Sequence, residues 1–390
     1  MKYEPVSGIQ PTVIKWARET VGLSVADVAQ ILKRPASDIE DWESGQTAPT
    51  YPQLEKLAYQ VYKRPLAIFF LPAPPEEVLP QREFRTLPDA DLQSLSRDTY
   101  LHIRRAHAYR LALKEVFENR NPIDRRITSE IFLSHSQSVT EQAKNIRVFL
   151  GIDINDQIRW KSVDFALKQW RKVIEDSGVF VFKAAFKQKD ISGFCLVDKQ
   201  LPIIYLNNST TKTRQIFSLL HELAHLLLSI NGLSKFNKDY IDHLPKTNKQ
   251  IERFCNSISA EVLIPESDFK IQIADLPLNA EHASEEVFSN LANRYGVSRE
   301  AVLRRLLDQN SVSKVFYERK VKIWNAQKKQ SSGGDWYLNQ GAYLSNRFMN
   351  EVIGRHYRHQ ITLEHAADLL GIKPKNFAGL EERILKGAGA

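Results

Sequence analysis

Between residues 10 and 65 the apolar positions recur every three or four residues in short bursts, the period of amphipathic helices rather than of strands. Pro11 stands like a first-turn proline, and Val13, Ile14 and Ala17 follow at helical spacing. In LSVADVAQIL, Ser24 is placed to cap a helix whose apolar stripe is Val25, Val28, Ala29 and Leu32. After the break KRP, ASDIEDWESG sets Ile39 and Trp42 three apart and ends at Gly45, a left-handed helix stop. Two helices across a tight turn, with the small Ala29 where they cross, predict a helix-turn-helix. LPAPPEEVLP at 71–80 holds four prolines in ten residues and reads as an extended linker.

Residues 90–176 keep a helical pattern. From Gly178 the period changes: VFVFKAAF, ISGFCLV and LPIIYLN are short β-branched and aromatic runs between polar breaks, which predict three or so strands. Helical patterns resume near Thr210 and continue to the end, interrupted by QSSGGDW at 330–336. The expected fold class is therefore mainly α (α+β), in four parts. A helix-turn-helix bundle covers 1–70, a proline-rich linker and helical connector 71–176, a domain with a small sheet 177–310, and a helical domain 311–390. A faint repeat links 25–42, 291–306 and 364–380. Each copy has a small alanine (Ala29, Ala292, Ala367) and an apolar residue ten later (Ile39, Val302, Phe377). The plain alternative is that any two short packed helices look this way.

The strongest chemical signal is His221-Glu222-Leu223-Ala224-His225. Ile216, Leu220, Leu223 and Leu227 mark one face of a helix through it. On that helix the two histidines are four apart, so both rings project from one side within reach of one ion. Glu222 is turned roughly 100° from His221, beside an ion rather than on it. In this geometry two neutral imidazoles bind Zn²⁺ and the carboxylate takes a proton from metal-activated water. Two surface histidines beside a salt-bridging glutamate is the rival reading. It would leave them on a helix whose flanks are continuously apolar, where buried polar groups need partners.

A catalytic zinc takes three protein ligands and keeps one position open. The third is sought in IERFCNSISAEVLIP, residues 251–265, a second helix ending at Pro265. Glu252 and Glu261 are nine residues apart, about 900° of rotation, so one helix cannot aim both at one ion. Asn256 shares a face with Glu252, and its amide oxygen is placed to accept the spare N–H of a ligand histidine from the layer behind the ion. That selects Glu252 and leaves Glu261 for solvent or an ion pair.

PIIYLN, RQIFSLLHELAHLLL, IERFCNSISAEVLIP and LANRYGVSREAVLRRLLD together resemble an ImmA/IrrE-type metallo-endopeptidase fused to an XRE-type helix-turn-helix domain. EFRTLP at 83–88 and AADLLGIKPKNFAGLEE in the tail extend the resemblance over nearly the whole chain. It implies a minimal zincin-like domain holding one catalytic zinc ion through His221, His225 and Glu252, with Glu222 as general base. It also implies a protein substrate, a DNA-bound repressor being the class suggested. Phe254 and Cys255 stand where the family commonly has an acid and an alanine. Phe254 removes a rival ligand, whereas Cys255 is either a small buried residue or a soft competitor for zinc.

Within this frame LPIIYLN is the expected docking strand, an extended peptide adding alongside Ile203–Leu206, unless it is an ordinary internal strand. Tyr205, Tyr240 and His243 are equal candidates for an oxyanion donor. The helix-turn-helix would meet DNA through Lys33, Arg34 and Ser37, with Lys56, Lys63 and Arg64 as further phosphate contacts. Its second helix also presents Asp38, Glu40 and Asp41, acids that phosphates repel. DNA contact and protein contact both stay open for it, and the basic copy with Arg294, Arg299, Arg304 and Arg305 is a second DNA-facing candidate.

Charge sharpens this. The net formal charge is +8, yet residues 1–80 hold 8 Lys/Arg against 10 Asp/Glu, while residues 311–390 hold 13 against 7. Basicity lies in the tail and not in the expected reader of DNA. Apolar residues at 43% and charged residues at 26% exclude wholesale disorder. Two cysteines in 390 residues exclude a disulfide framework or Cys-rich zinc ribbon and point to a reducing compartment. The start MKYEPVSGIQ has no apolar signal region, and LAIFFLP and LLHELAHLLL are too short or polar to span a bilayer, so a cytoplasmic protein without membrane contact is expected. Two functions compete: a zinc endopeptidase cleaving a partner regulator, and an antitoxin-like transcriptional regulator whose metallopeptidase-like domain binds a toxin partner encoded nearby.

Overall fold

In the computed structural model, residues 4–76, 84, 95–160, 162–188, 190–235, 244–274, 276, 280–326 and 343–388 are described. QSSGGDW, Tyr240, His243, all of EFRTLP but Phe84, and the end of the proline-rich linker lie outside them. The chain divides into two compact units, Met1–His107 with Phe186–Gln188, and Ala108–Ala185 with Lys189–Ala390.

In the first unit, α1 (Pro11–Glu19), α2 (Val25–Leu32), α3 (Ala36–Ser44) and α4 (Tyr51–Glu55) fall where the periodicity puts them. Ser24 and Asp27 form a capping box at the start of α2, and Lys33 ends that helix in the left-handed region at φ 55°. Gly45 ends α3 at φ 82°. After α4 the chain widens into a π-helical stretch, Lys56–Tyr62, which periodicity did not announce. Val13, Ile14, Val28, Ile39, Trp42 and Leu57 close the core. Arg64, an expected phosphate contact, is instead buried: its guanidinium lies 3.9 Å over the Trp16 ring and donates to Thr20 Oγ1 at 2.8 Å.

The second unit takes the C-terminal part of α5 (Arg97–Val116), followed by α6 (Ile127–Glu130), α7 (Val139–Leu150), α8 (Ile154–Ile158) and α9 (Val163–Asp176). Then come β1 (Phe180–Ala184), β2 (Ile191–Leu196) and β3 (Ile203–Asn207), α10 (Lys212–Leu227), and a fourth, three-residue strand, β4 (Leu233–Lys235). The sheet order is β1-β3-β2-β4, with β3 parallel to β1 and antiparallel to β2. Thus the expected docking segment Ile203–Leu206 is an internal strand: β1 and β2 already pair with both its edges, and no peptide can add there.

The first three strands are buried along their whole length, which is why they read as unbroken apolar runs. Val181, Ile204, Leu206 and Cys195 point into the core shared with α10. Phe182 and Tyr205 point to the other face, where Tyr109 of α5 stacks on Phe182 at 4.3 Å.

Helices fill the rest: α11 (Lys246–Leu263), α12 (Glu266–Gln272), α13 (Glu285–Tyr295), α14 (Arg299–Asp308), α15 (Lys314–Ala326), α16 (Asn346–Tyr357), α17 (Leu363–Leu370) and α18 (Phe377–Ala388). The three repeat copies share one helix ending. The Ala29, Ala292 and Ala367 carbonyls each accept the N–H five residues on at 2.9 Å, just past a left-handed Lys33, Gly296 or Gly371. Ile152 makes the same bond to Arg147 past Gly151, outside any copy. The common element is therefore a general helix stop.

Candidate metal centre

Thr211 caps α10 by accepting from the Arg214 N–H, and the helix is then buried almost continuously from Gln215 to Leu227. Its flanks pack on the sheet and on α11, so three polar residues are carried into an apolar core. His221 is 4% exposed, Glu222 and His225 0%, and Glu252, from α11, 7%. Such burial is costly unless the groups are matched to one another or to an ion.

The match is close. His221 Nε2 lies 3.2 Å from Glu252 Oε2, His225 Nε2 lies 3.2 Å from Glu252 Oε1, and the two Nε2 atoms are 3.1 Å apart. Among the described residues this is the group of three or more His, Cys, Asp or Glu side chains whose ligand atoms converge for a metal. Two imidazole nitrogens at that separation cannot both hold protons toward each other, and as lone pairs they repel. A tetrahedral zinc with ligand bonds of about 2.0–2.1 Å would hold its donors about 3.3 Å apart. The residues fit a small dication.

Glu261 shares the helix with Glu252 but serves elsewhere: it ion-pairs with Arg305, and its Oε1 accepts the Glu266 N–H at 2.8 Å. Asn256 is half-buried, and no hydrogen bond joins its amide to either ring among the described residues. Neither His221 Nδ1 nor His225 Nδ1 has a partner there. The neighbours the structure does supply are sulfurs. The buried Cys255 thiol faces His225, and the buried Cys195 thiol, from β2, is within hydrogen-bonding reach of Glu222. Burial pushes both thiols up, Cys195 further through the Glu222 carboxylate. Burial also works against ionising Glu252, yet the facing His225 and His221 override it and hold its carboxyl well below the usual range. Cys255 is not part of the converging group.

Two participants carried no sequence signal: Cys195, a small residue inside an apolar strand, and Gly232, where a β-carbon would run into the His225 ring. Tyr205, an oxyanion candidate, sits on the sheet face away from α10, stacked on Phe194 at 5.1 Å. In the other unit Lys33, Arg34 and Ser37 are all exposed, but Arg34 is held by Asp38 at 2.5 Å. In the basic copy Arg294 pairs with Asp268, Arg299 with Glu285, Arg304 with Asp308 and Arg305 with Glu261, so none of the four is left as an unneutralised cation for phosphate.

Residues 174–307 match the IrrE N-terminal-like domain, Peptidase_M78. The match contains α10, the sheet and α11, and so the whole converging group. The segment similar to the IrrE N-terminal-like domain thus carries the buried three-donor group. No curated protein matches the chain. Among the described residues no helix is long and apolar enough to cross a membrane.

Proposed function

We propose that the protein is a zinc-dependent endopeptidase acting on a partner regulatory protein, in the cytoplasm, where its two free thiols stay reduced. The observation that carries this reading is the set of three donors 3.1–3.2 Å apart with a fully buried carboxylate, Glu222, on the adjoining helix position. His221, His225 and Glu252 would hold the ion. When bound, zinc polarises a carbonyl and acidifies water. Glu222 would accept the proton and return it to the leaving amine. An extended peptide would add to the outer edge of β4, which pairs only with β2 among the described residues and starts one residue after Gly232.

The substrate class, a transcriptional repressor, follows the ImmA/IrrE resemblance, and the XRE-like N-terminal unit would bring the peptidase to it. A second reading draws on that unit's surface. Glu40 and Ser37 are exposed on α3 while Arg34 is tied to Asp38, a face better suited to protein than to phosphate. In that reading the chain is an antitoxin-like regulator whose peptidase-like domain holds a toxin partner.

Glu222→Gln discriminates. The amide keeps shape but accepts no proton, so cleavage of a co-expressed neighbouring gene product falls by about 10²–10⁴ with zinc content unchanged. Undiminished cleavage overturns the mechanism; a stable stoichiometric complex with no cleavage by wild type favours the second reading.

A further inference from the structure

The chain between α10 and β4 doubles back over the metal helix. Ser229 takes the left-handed region at φ 58°, and the Ile230 N–H donates to the His225 carbonyl at 3.0 Å. Asn231 Oδ1 then accepts the Val197 N–H at 2.5 Å. This path presses Gly232 onto the His225 imidazole. A β-carbon at Gly232 would lie 2.6 Å from both Cγ and Cδ2 of that ring and 3.0 Å from Nδ1. Those are the base of the ring and not a flexible end, and His225 is fully enclosed, so the ring has nowhere to retreat.

Gly232 is itself held by one side chain and one backbone group of the same residue. The Cys195 N–H donates to the Gly232 carbonyl at 2.9 Å, and the Gly232 N–H donates to Cys195 Sγ at 3.3 Å. The Cys195 thiol also lies 3.7 Å from the Ile230 carbonyl. Cys195 therefore grips the loop at two residues while its sulfur fills the space beside Glu222.

We infer that Gly232 and Cys195 are positioning residues of the metal centre: Gly232 sets the plane of the His225 ring, and Cys195 sets Gly232. A ligand histidine needs a partner that fixes its ring orientation, commonly a hydrogen bond to the free ring nitrogen. Here the Cys255 thiol faces the His225 ring, and van der Waals confinement by the Gly232 backbone fixes the ring's plane.

This inference rests on the metal-centre reading, and two measurements on the full chain separate them. Zinc affinity is measured by competition with a chromogenic chelator. Gly232→Ala should raise the zinc Kd by about 10–100-fold and Cys195→Ala by about tenfold. Melting of the zinc-free protein closes a cycle with His225→Ala. Gly232→Ala should lower Tm by roughly 2–4 °C or more in the wild-type background and leave it unchanged once the ring is gone. An unaltered zinc Kd in a folded Gly232→Ala protein, or an equal Tm loss in both backgrounds, overturns the inference. If wild type itself takes up no zinc, the metal-centre reading fails, and the melting cycle still decides whether glycine and ring are coupled.

Discussion

Two polar clusters lie in the core of the second unit, built on opposite rules. Arg147, on α7, sends Nη1 to Gln157 Oε1 at 2.6 Å and to the Val262 carbonyl at 2.7 Å. Gln157 Nε2 reaches the Leu263 and Tyr295 carbonyls at 2.9 and 3.0 Å. Every one of these contacts sets a donor against an acceptor, and two of the carbonyls are the last of α11, where helix ends leave acceptors unsatisfied. The cluster caps the helix that carries Glu252. The His221, His225 and Glu252 cluster instead sets two imidazole nitrogens 3.1 Å from each other and each 3.2 Å from one carboxylate, a spacing that a shared cation would fit. A polar cluster whose contacts pair donors with acceptors holds a fold; one whose donors converge on a single point is a candidate site.

Breaking the first cluster should cost the fold and leave the second chemically intact. Arg147→Ala removes a charged donor to Val262 and Gln157 and should destabilise the protein by about 3 kcal/mol, with zinc stoichiometry unchanged. Urea titration and metal analysis read the two parts, and loss of zinc at full stability would reverse the comparison.

For the second cluster the expectation is the mirror image. Zinc at a hundred times its Kd should stabilise wild type by about 2.7 kcal/mol, a gain removed by chelator. His221→Ala and Glu252→Ala should each abolish it. Equal stabilisation of either variant would place the ion elsewhere.

A third buried charge sharpens the contrast, since no hydrogen bond or ion pair holds it among the described residues. Lys183, on β1, is pushed down to about 7, chiefly by burial and then by Arg171 and Lys212, with Asp164 and Glu175 only partly opposing. The unfolded chain binds the Lys183 proton up to about pH 10.4, whereas the folded chain has released it above about 7. Between these values unfolding takes up a proton, so this lysine makes stability rise with pH. The difference in stability between wild type and Lys183→Met should therefore change by up to about 1.4 kcal/mol per pH unit from pH 7 to 10, shrinking as pH rises. A flat difference would mean the ammonium finds a partner in the fold.

What could be read before the structure was whatever lies within one element. The i, i+4 histidines, Glu222 beside them, the Ser24 cap and the stop at Gly45 are local consequences of helix geometry. That Glu252 and Glu261 cannot both face one ion was legible for the same reason, because about 900° of rotation separates them on a single helix. The choice of Glu252 leaned on Asn256, whose amide bonds neither ring among the described residues. Three features were not: β4, only three residues long; the interior position of β3; and the pairing of the arginines from Arg294 to Arg305. Each depends on which distant segment packs alongside. Arg64 illustrates the limit, since a lysine-arginine pair at a helix end looks like a phosphate contact until Trp16 is found beneath it.

The sequence by itself determined which atoms can bind a cation and that two of them share a helical face, since 3.6 residues per turn admits no other arrangement. Only the tertiary structure decided that Glu252 meets them at 3.2 Å, that Gly232 lies against the His225 ring with Cys195 holding it, and that β3 is internal while β4 is an edge of the sheet. Those separations arise where the chain closes loops and packs helix on sheet, so they depend on every intervening turn and carry no mark in the residues themselves.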